Sequence, residues 1–377
     1  MKILILSCGT GGGHNTAGYA VAEEMRRRGH QVCFEDAFEI VGKPAAKIVN
    51  NTYIKTVQHA PKAFGAMYTI SETMSKVPGE SAVYWANSIC THALKKYLKD
   101  RSFDAIVMTH LFAAHMLTAL RRRGVHIPPC YLIATDYTCY PFLKDARCDY
   151  VNIPSKELAS TFIESGVHAS KLLYFGIPVK CEFSHSITKE EACRAVGLSS
   201  KHDYILLSGG SIGASSMTSS IRALLTFLNE HPNAHLVVIC GSNERLYEKL
   251  LHNFAGNKQL HIIGKTNQMP QYMHACRLFI TKPGGLSTTE AAVSMTPTIL
   301  MPPIPGCETY NIDFFRSHGM CIAIEDPETD LLPAIRTLFK TEAALDMQQA
   351  QRATINANST RDLCDHIERH TVPYSHN

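Results

Sequence analysis

The chain has 377 residues, of which 45% are hydrophobic and 19% charged, and its formal net charge is +4. This is the balance of a folded, water-facing protein with material for two domains, and it excludes disorder and fibrous or low-complexity architectures. No apolar run reaches the ~18 residues a membrane span requires, and the chain enters a strand at once with no secretory leader, so a cytoplasmic location is expected.

Strands alternate with helices from the start. Lys2-Ile3-Leu4-Ile5-Leu6-Ser7 reads as a buried strand, and Cys8-Gly9-Thr10-Gly11-Gly12-Gly13-His14 as the turn that follows it. A helix is expected from about Asn15 to Arg28, closed by Gly29, and a second strand over 31–35. Residues 50–87 break the rhythm with mixed Tyr, Phe, Met and Lys, the single Trp, and the interruptions Pro61, Pro78 and Gly79; they read as helices and a loop inserted into the first domain. Strands return at 105–110, 130–136 and 150–153. Residues 175–202 lack a strong strand, and 181–202 is the expected linker. A second series begins with Tyr204-Ile205-Leu206-Leu207-Ser208 and continues with strands at 235–240, 260–263, 278–281, 298–301 and 321–324, before polar helices from Pro333. Alternation of this kind gives parallel sheets covered on both faces, and ligands bind such sheets at the carboxyl ends of the strands. The expected division is 1–180, a linker over 181–202, 203–332, and C-terminal helices over 333–377.

Charge is uneven along this plan. Residues 1–180 carry 21 basic and 14 acidic side chains, a net of +7, whereas 181–377 carry 16 and 19, a net of −3. A basic half fits an anionic membrane surface or nucleic acid. The densest clusters, Arg26-Arg27-Arg28 and Arg121-Arg122-Arg123, each precede a glycine at a helix end, where basic residues also complement the helix dipole. Thirteen cysteines without metal-ligand spacing read as reduced thiols.

Three glycine-rich strand-to-helix turns occupy equivalent positions: 8–14, 208–214 and 281–290. In the last, Thr281-Lys282-Pro283-Gly284-Gly285 leads into Leu286-Ser287-Thr288-Thr289-Glu290. The unpaired amides of the helix start suit an anion, the hydroxyls add donors, and Glu290 suits a sugar diol. An ordinary capped turn of a doubly wound sheet would look the same. A nicotinamide fingerprint fails because His14 stands where the third glycine of G-x-G-x-x-G belongs, and a P-loop fails because no Gly-Lys-Ser/Thr occurs. His14, among glycines at a helix start, is the candidate base for removing a proton from a hydroxyl, since its ordinary pKa of about 6.5 suits that task near neutral pH. The bland alternative is a solvent-facing cap residue.

Gly11-Gly12-Gly13-His14-Asn15-Thr16-Ala17, Thr135-Asp136-Tyr137, Gly209-Gly210-Ser211-Ile212-Gly213, Lys282 to Glu290, and Pro305-Gly306-Cys307-Glu308-Thr309-Tyr310-Asn311 follow one another as in family 28 glycosyltransferases. The chain most resembles the branch of monogalactosyldiacylglycerol synthases and bacterial diacylglycerol glucosyltransferases. That resemblance implies the GT-B fold, an α/β architecture of two Rossmann-like doubly wound domains facing a cleft, with acceptor and membrane docking in the first, the UDP-sugar in the second, and a last helix returning to the first. It implies His14 as base, Asp136 on the acceptor side, and a UDP-sugar site made of Gly12, Gly13, Gly210, Ser211, Gly213, Gly264, Gly284, Gly285, Ser287, Thr288, Glu290, Glu308 and Asn311. The donor would be UDP-glucose or UDP-galactose and the acceptor diacylglycerol, on an anionic membrane surface and without nucleic acid. No D-x-D pair occurs, so no metal or other cofactor is expected. Two residues depart from the family pattern: Tyr140 where histidine is common, and Cys307 where glutamine is usual. The alternatives are a peptidoglycan-type N-acetylglucosamine transferase, a UDP-GlcNAc 2-epimerase, and a non-catalytic nucleotide-sugar or lipid-binding module.

Overall fold

A computed structural model describes residues 1–9, 12–42, 61–99, 101–209 and 217–372. The chain forms two compact units, one built from 1–181 with 304–307 and the segment from Asn358, the other from 182–303 and 308–357.

The first unit contains a six-stranded sheet in the order β2-β1-β3-β4-β5-β6. Its strands are β1 (Lys2–Ser7), β2 (Gln31–Asp36), β3 (Ala105–Met108), β4 (Cys130–Ile133), β5 (Tyr150–Asn152) and β6 (Leu172–Leu173). Every pairing is parallel. Alternation within β1 sends Leu4 and Leu6 to one core with Ile106, Met108 and Leu132, and Ile3 and Ile5 to the opposite core with Val107, Tyr131 and Ile133. Both faces are therefore apolar and covered, which is why β1 reads as an unbroken hydrophobic run.

The second core is completed by Val21 and Met25 of the Gly13–Arg27 helix and by Leu363, Cys364 and Ile367 of the Ser359–His370 helix. Arg28 fixes the latter helix: its guanidinium donates to Glu24 at 2.7 Å, Asp365 at 2.6 Å and Glu368 at 2.6 Å. Ser359 and Thr360 donate to the carbonyls of Ile177 and Val179. Arginine from the other cluster is spent likewise, Arg121 on Asp149, Arg122 on Glu80 and Arg123 on the Thr91 hydroxyl. Arg27, Arg28, Arg121 and Arg122 thus pair with carboxylates, whereas among the described residues Arg26 and Arg123 bond only to a carbonyl and a hydroxyl and keep their charge uncompensated.

The second unit repeats the plan with the order β12-β11-β10-β7-β8-β9, all parallel: β7 (Asp203–Ser208), β8 (Ala234–Ile239), β9 (Leu260–Ile263), β10 (Cys276–Thr281), β11 (Thr298–Leu300) and β12 (Ile322–Ala323). Within 181–202, residues Lys189–Ala195 form a helix opened by a reciprocal capping box between Thr188 and Glu191, and this helix packs on Met269–Ala275.

In each sheet the strand order reverses direction once, between β1 and β3 in the first and between β7 and β10 in the second. Diverging connections at such a point leave a crevice at the strands' carboxyl ends. The turns at 8–14 and 281–290 follow β1 and β10, at these two points. Among the described residues no helix is long and apolar enough to cross a membrane.

Candidate functional site

In the first unit the chain leaves β1 at Ser7 and enters the Gly13–Arg27 helix within a few residues. Gly12 caps that helix with φ 76°, a left-handed conformation that glycine adopts without strain. The turn is tethered from β2, because the Gly9 amide donates to Asp36 at 2.7 Å. A buried hydroxyl relay holds the helix start from below: Thr109 donates to Ser7 at 3.0 Å, and Ser7 donates to the Asn15 side chain at 2.5 Å.

His14 is thereby set beside the carboxyl end of β3. Its Nδ1 lies 2.6 Å from the Thr109 carbonyl oxygen, which can only accept, so Nδ1 carries the ring proton and Nε2 keeps its lone pair. The Thr135 hydroxyl, just beyond β4, is 3.1 Å from the same Nδ1. The edge of the His110 ring packs against the imidazole at a centroid distance of 4.8 Å. Burial pushes the His14 pKa below the ordinary histidine value, and the Asp136 charge and the Thr109 carbonyl oppose that shift without cancelling it. His110 is held further down, by burial and then by its histidine neighbours. A neutral imidazole with a fixed tautomer and a free Nε2 can take a proton from a hydroxyl.

In the second unit the Gly285–Val293 helix starts without a side-chain cap, since its N-cap is Gly284. A side chain on Gly284 would meet nothing within 4 Å, so this approach to the helix start is open. First-turn amides have no partner inside a helix and carry the positive end of its dipole. Ser287 is half-buried. Thr288 does not offer its hydroxyl: the side chain is fully buried and donates to the Gly284 and Gly285 carbonyls. Glu290 is buried one turn further on, and Glu308 lies half-buried in the Cys307–Ser317 helix. Asn311, wholly buried in that helix, donates from its side-chain amide to the Pro283 carbonyl at 2.9 Å, which makes it a brace for the turn preceding the helix start. Gly264 follows β9, the terminal strand three places from β10, and is on the same carboxyl side of the sheet; a Cβ there would only touch the Tyr247 ring at 3.9 Å. Gly210, Ser211 and Gly213 lie outside the described residues.

Thus Gly12, Gly13, His14 and Asp136 gather in the first unit, and Gly284, Gly285, Ser287, Glu290 and Asn311 in the second. The sequence does not single out Thr109 and Thr135 as partners of His14, nor Tyr140 as a partner of Thr135; the polar residues that follow β3 and β4 are the available signal. Cys307, within the 304–307 segment of the first unit, donates its thiol to the Tyr68 hydroxyl at 3.3 Å. Among the described residues no three His, Cys, Asp or Glu side chains converge as metal ligands.

Two parallel-sheet units, each with a glycine turn where its strand order reverses, define a GT-B protein. Solved structures with this fold include MurG of Acinetobacter baumannii, 17% identical with a TM-score of 0.63 over 98% of this chain and 99% of that one. A UDP-GlcNAc 2-epimerase of Neisseria meningitidis, solved with UDP-GlcNAc, is 12% identical with a TM-score of 0.64 over 98% of this chain and 100% of the other. Residues 14–179 match the monogalactosyldiacylglycerol (MGDG) synthase family and 204–367 the glycosyltransferase family 28 C-terminal domain, and the chain belongs to this glycosyltransferase family. A processive diacylglycerol beta-glucosyltransferase of Staphylococcus epidermidis is 28% identical over 96% of this chain and 91% of its own length.

Proposed function

We propose that the protein transfers a hexose from a UDP-sugar to the hydroxyl of diacylglycerol with inversion at the anomeric carbon. The observation that carries this reading is His14, whose Nδ1 is committed to the Thr109 carbonyl while Nε2 remains basic. In the reaction Nε2 takes the acceptor hydroxyl's proton, the oxygen forms its bond to the anomeric carbon, and UDP leaves with the electron pair of the bond it gives up. The amides of Gly285 and Leu286 and the Ser287 hydroxyl receive the diphosphate, the kind of charge stabilisation that assists a departing anion. Glu290 binds the ribose, Glu308 the hexose, and Asn311 supports the diphosphate turn through Pro283. Asp136 adds negative charge on the acceptor side, which favours the imidazolium as it forms. Relatives named as glucosyltransferases make UDP-glucose the first donor to test and UDP-galactose the second.

Diacylglycerol lies in a bilayer, and the first unit carries a surface suited to reach it. Met67, Ile70, Met74, Val77, Trp85 and Ile89 are each more than half exposed. The segment 61–99 that bears them contains five lysines against two glutamates, and Lys76, Lys95, Lys96 and Lys99 are exposed. Exposed apolar side chains with free lysines fit an anionic membrane surface, and peripheral docking at the cytoplasmic face follows from this reading.

The test is to incubate the protein with diacylglycerol vesicles and each UDP-sugar and to analyse the lipid. A glycosylated lipid supports the proposal. Release of UDP and N-acetylmannosamine from UDP-GlcNAc without any acceptor would select the epimerase reading instead. Sedimentation with anionic but not neutral vesicles at low salt, weakened in Trp85→Ala/Ile89→Ser, tests the docking surface; equal sedimentation of wild type and variant removes it.

A further inference from the structure

His14 is held by more than the Thr109 carbonyl, and the second holder belongs to a residue with no assigned role. The phenol oxygen of Tyr140 accepts a hydrogen bond from the Thr135 amide at 2.6 Å and lies 2.8 Å from the Thr135 hydroxyl, closing a tight local ring. Thr135 is 4% exposed, so neither its amide nor its hydroxyl has ready recourse to water. The same hydroxyl is 3.1 Å from His14 Nδ1. The turn that carries Tyr140 is itself anchored. The Leu143 amide donates to the Tyr140 carbonyl, and His115 Nε2 donates to the Phe142 carbonyl at 3.1 Å while Asn87 donates to its Nδ1. Phe142 adopts a left-handed φ of 66°, an uncommon conformation for a bulky residue, and these bonds hold it there.

We propose that Tyr140 is a positioning residue for His14: by engaging both the amide and the hydroxyl of Thr135, it fixes that hydroxyl as a second acceptor at Nδ1. The imidazole is then clamped between the Thr109 carbonyl and the Thr135 oxygen, with Nε2 as its only acceptor atom. The clamp acts on both states of the ring. It holds the neutral tautomer that serves as base, and it stabilises the imidazolium after proton transfer, because a hydrogen bond from a charged donor is stronger than one from a neutral donor. Among the described residues, the titratable groups facing His14 are His110 and Asp136. Both stay unchanged in the variants below.

The kinetic arm of the test rests on the transferase reading, whereas the spectroscopic arm does not. Tyr140→Phe keeps the ring and removes the hydroxyl; Thr135→Val removes the second acceptor; Thr135→Ser restores it. In Tyr140→Phe, kcat is expected to fall about 10-fold with KM for the UDP-sugar within about twofold, in the range of a partial loss of general-base catalysis. Thr135→Val should fall at least as far, the double variant no further than Thr135→Val, and Thr135→Ser should recover most of the rate. Titration of the His14 ring by nitrogen NMR should show its pKa lowered in Tyr140→Phe and Thr135→Val, because the imidazolium loses an acceptor, and the acid limb of kcat should move to lower pH with it. Tyr140→Phe with an unmoved His14 titration overturns the proposal, as do independent losses that multiply in the double variant. If the wild-type protein transfers no sugar, the transferase reading fails while the titration still decides the role of Tyr140.

Discussion

Two helix starts at the reversal points of two parallel sheets are built to opposite specifications. At His14 nearly every polar group is tied down: Gly9 to Asp36, Asn15 to Ser7, Nδ1 to Thr109 and Thr135. At Gly285 the side chains turn inward, with Thr288 and Thr289 donating to the helix's own carbonyls, and the backbone amides of the first turn are left without an intrahelical partner. A group that must move a proton needs one fixed tautomer, whereas a site for a polyanion needs several donors on rigid backbone and no competing cap. In the proposed reading the same turn serves either purpose according to what its first helical residues bind.

The comparison breaks most sharply at His14. His14→Ala should lower kcat about 10²- to 10⁴-fold, the span of general-base catalysis, while UDP still binds by calorimetry; near wild-type turnover would remove the base from the proposal. The pH profile carries a sign. The folded-state pKa of His14 is depressed, so the base stays neutral and competent as pH falls to the ordinary histidine value of about 6.5, and activity is lost only below it. An acid limb above that value would contradict the burial of the ring. The anion side should respond differently. Asn311→Leu leaves the Pro283 carbonyl without its donor at a cost of about 1–3 kcal/mol, seen as a lower urea midpoint together with a raised KM for the UDP-sugar. Glu290→Ala should raise the same KM by about 10-fold with kcat less affected, the pattern of a lost ground-state contact worth about 1.4 kcal/mol. Smallest is Thr188→Ala in the capping box, about 1 kcal/mol of stability by urea melt and no change in either kinetic constant.

Most strands were readable because parallel strands covered on both faces are apolar runs: Lys2–Ser7 falls where the sequence puts it, and so does the half-buried terminal strand Leu260–Ile263 although His261 interrupts it. Leu172–Leu173 escaped because two residues carry no period. The Lys189–Ala195 helix escaped although Thr188-Lys189-Glu190-Glu191 spells a capping box, since the absence of a strong strand there suggested a linker. The turns at 8–14 and 281–290 were legible through glycine, whose freedom has few other uses between strand and helix. The clamp on His14 was not. One holder is a backbone carbonyl, which has no residue-type signature, and the other is 121 positions away in sequence. Burial likewise reassigned Thr288 and Asn311, because a hydroxyl or amide looks equally available in sequence whether it faces a ligand or a neighbouring carbonyl.

The Ser359–His370 helix has a consequence for biosynthesis. Leu363, Cys364 and Ile367 close one face of the first sheet, yet the ribosome makes them after every strand of the second unit. Until then Ile3, Ile5, Val107 and Ile133 have no cover from that helix, and Arg28 lacks Asp365 and Glu368. The nascent first half therefore lacks part of one core until this helix is made, and exposed apolar surface of that kind favours aggregation, while all residues of the second unit precede it. Translation order and completion order run opposite in this chain.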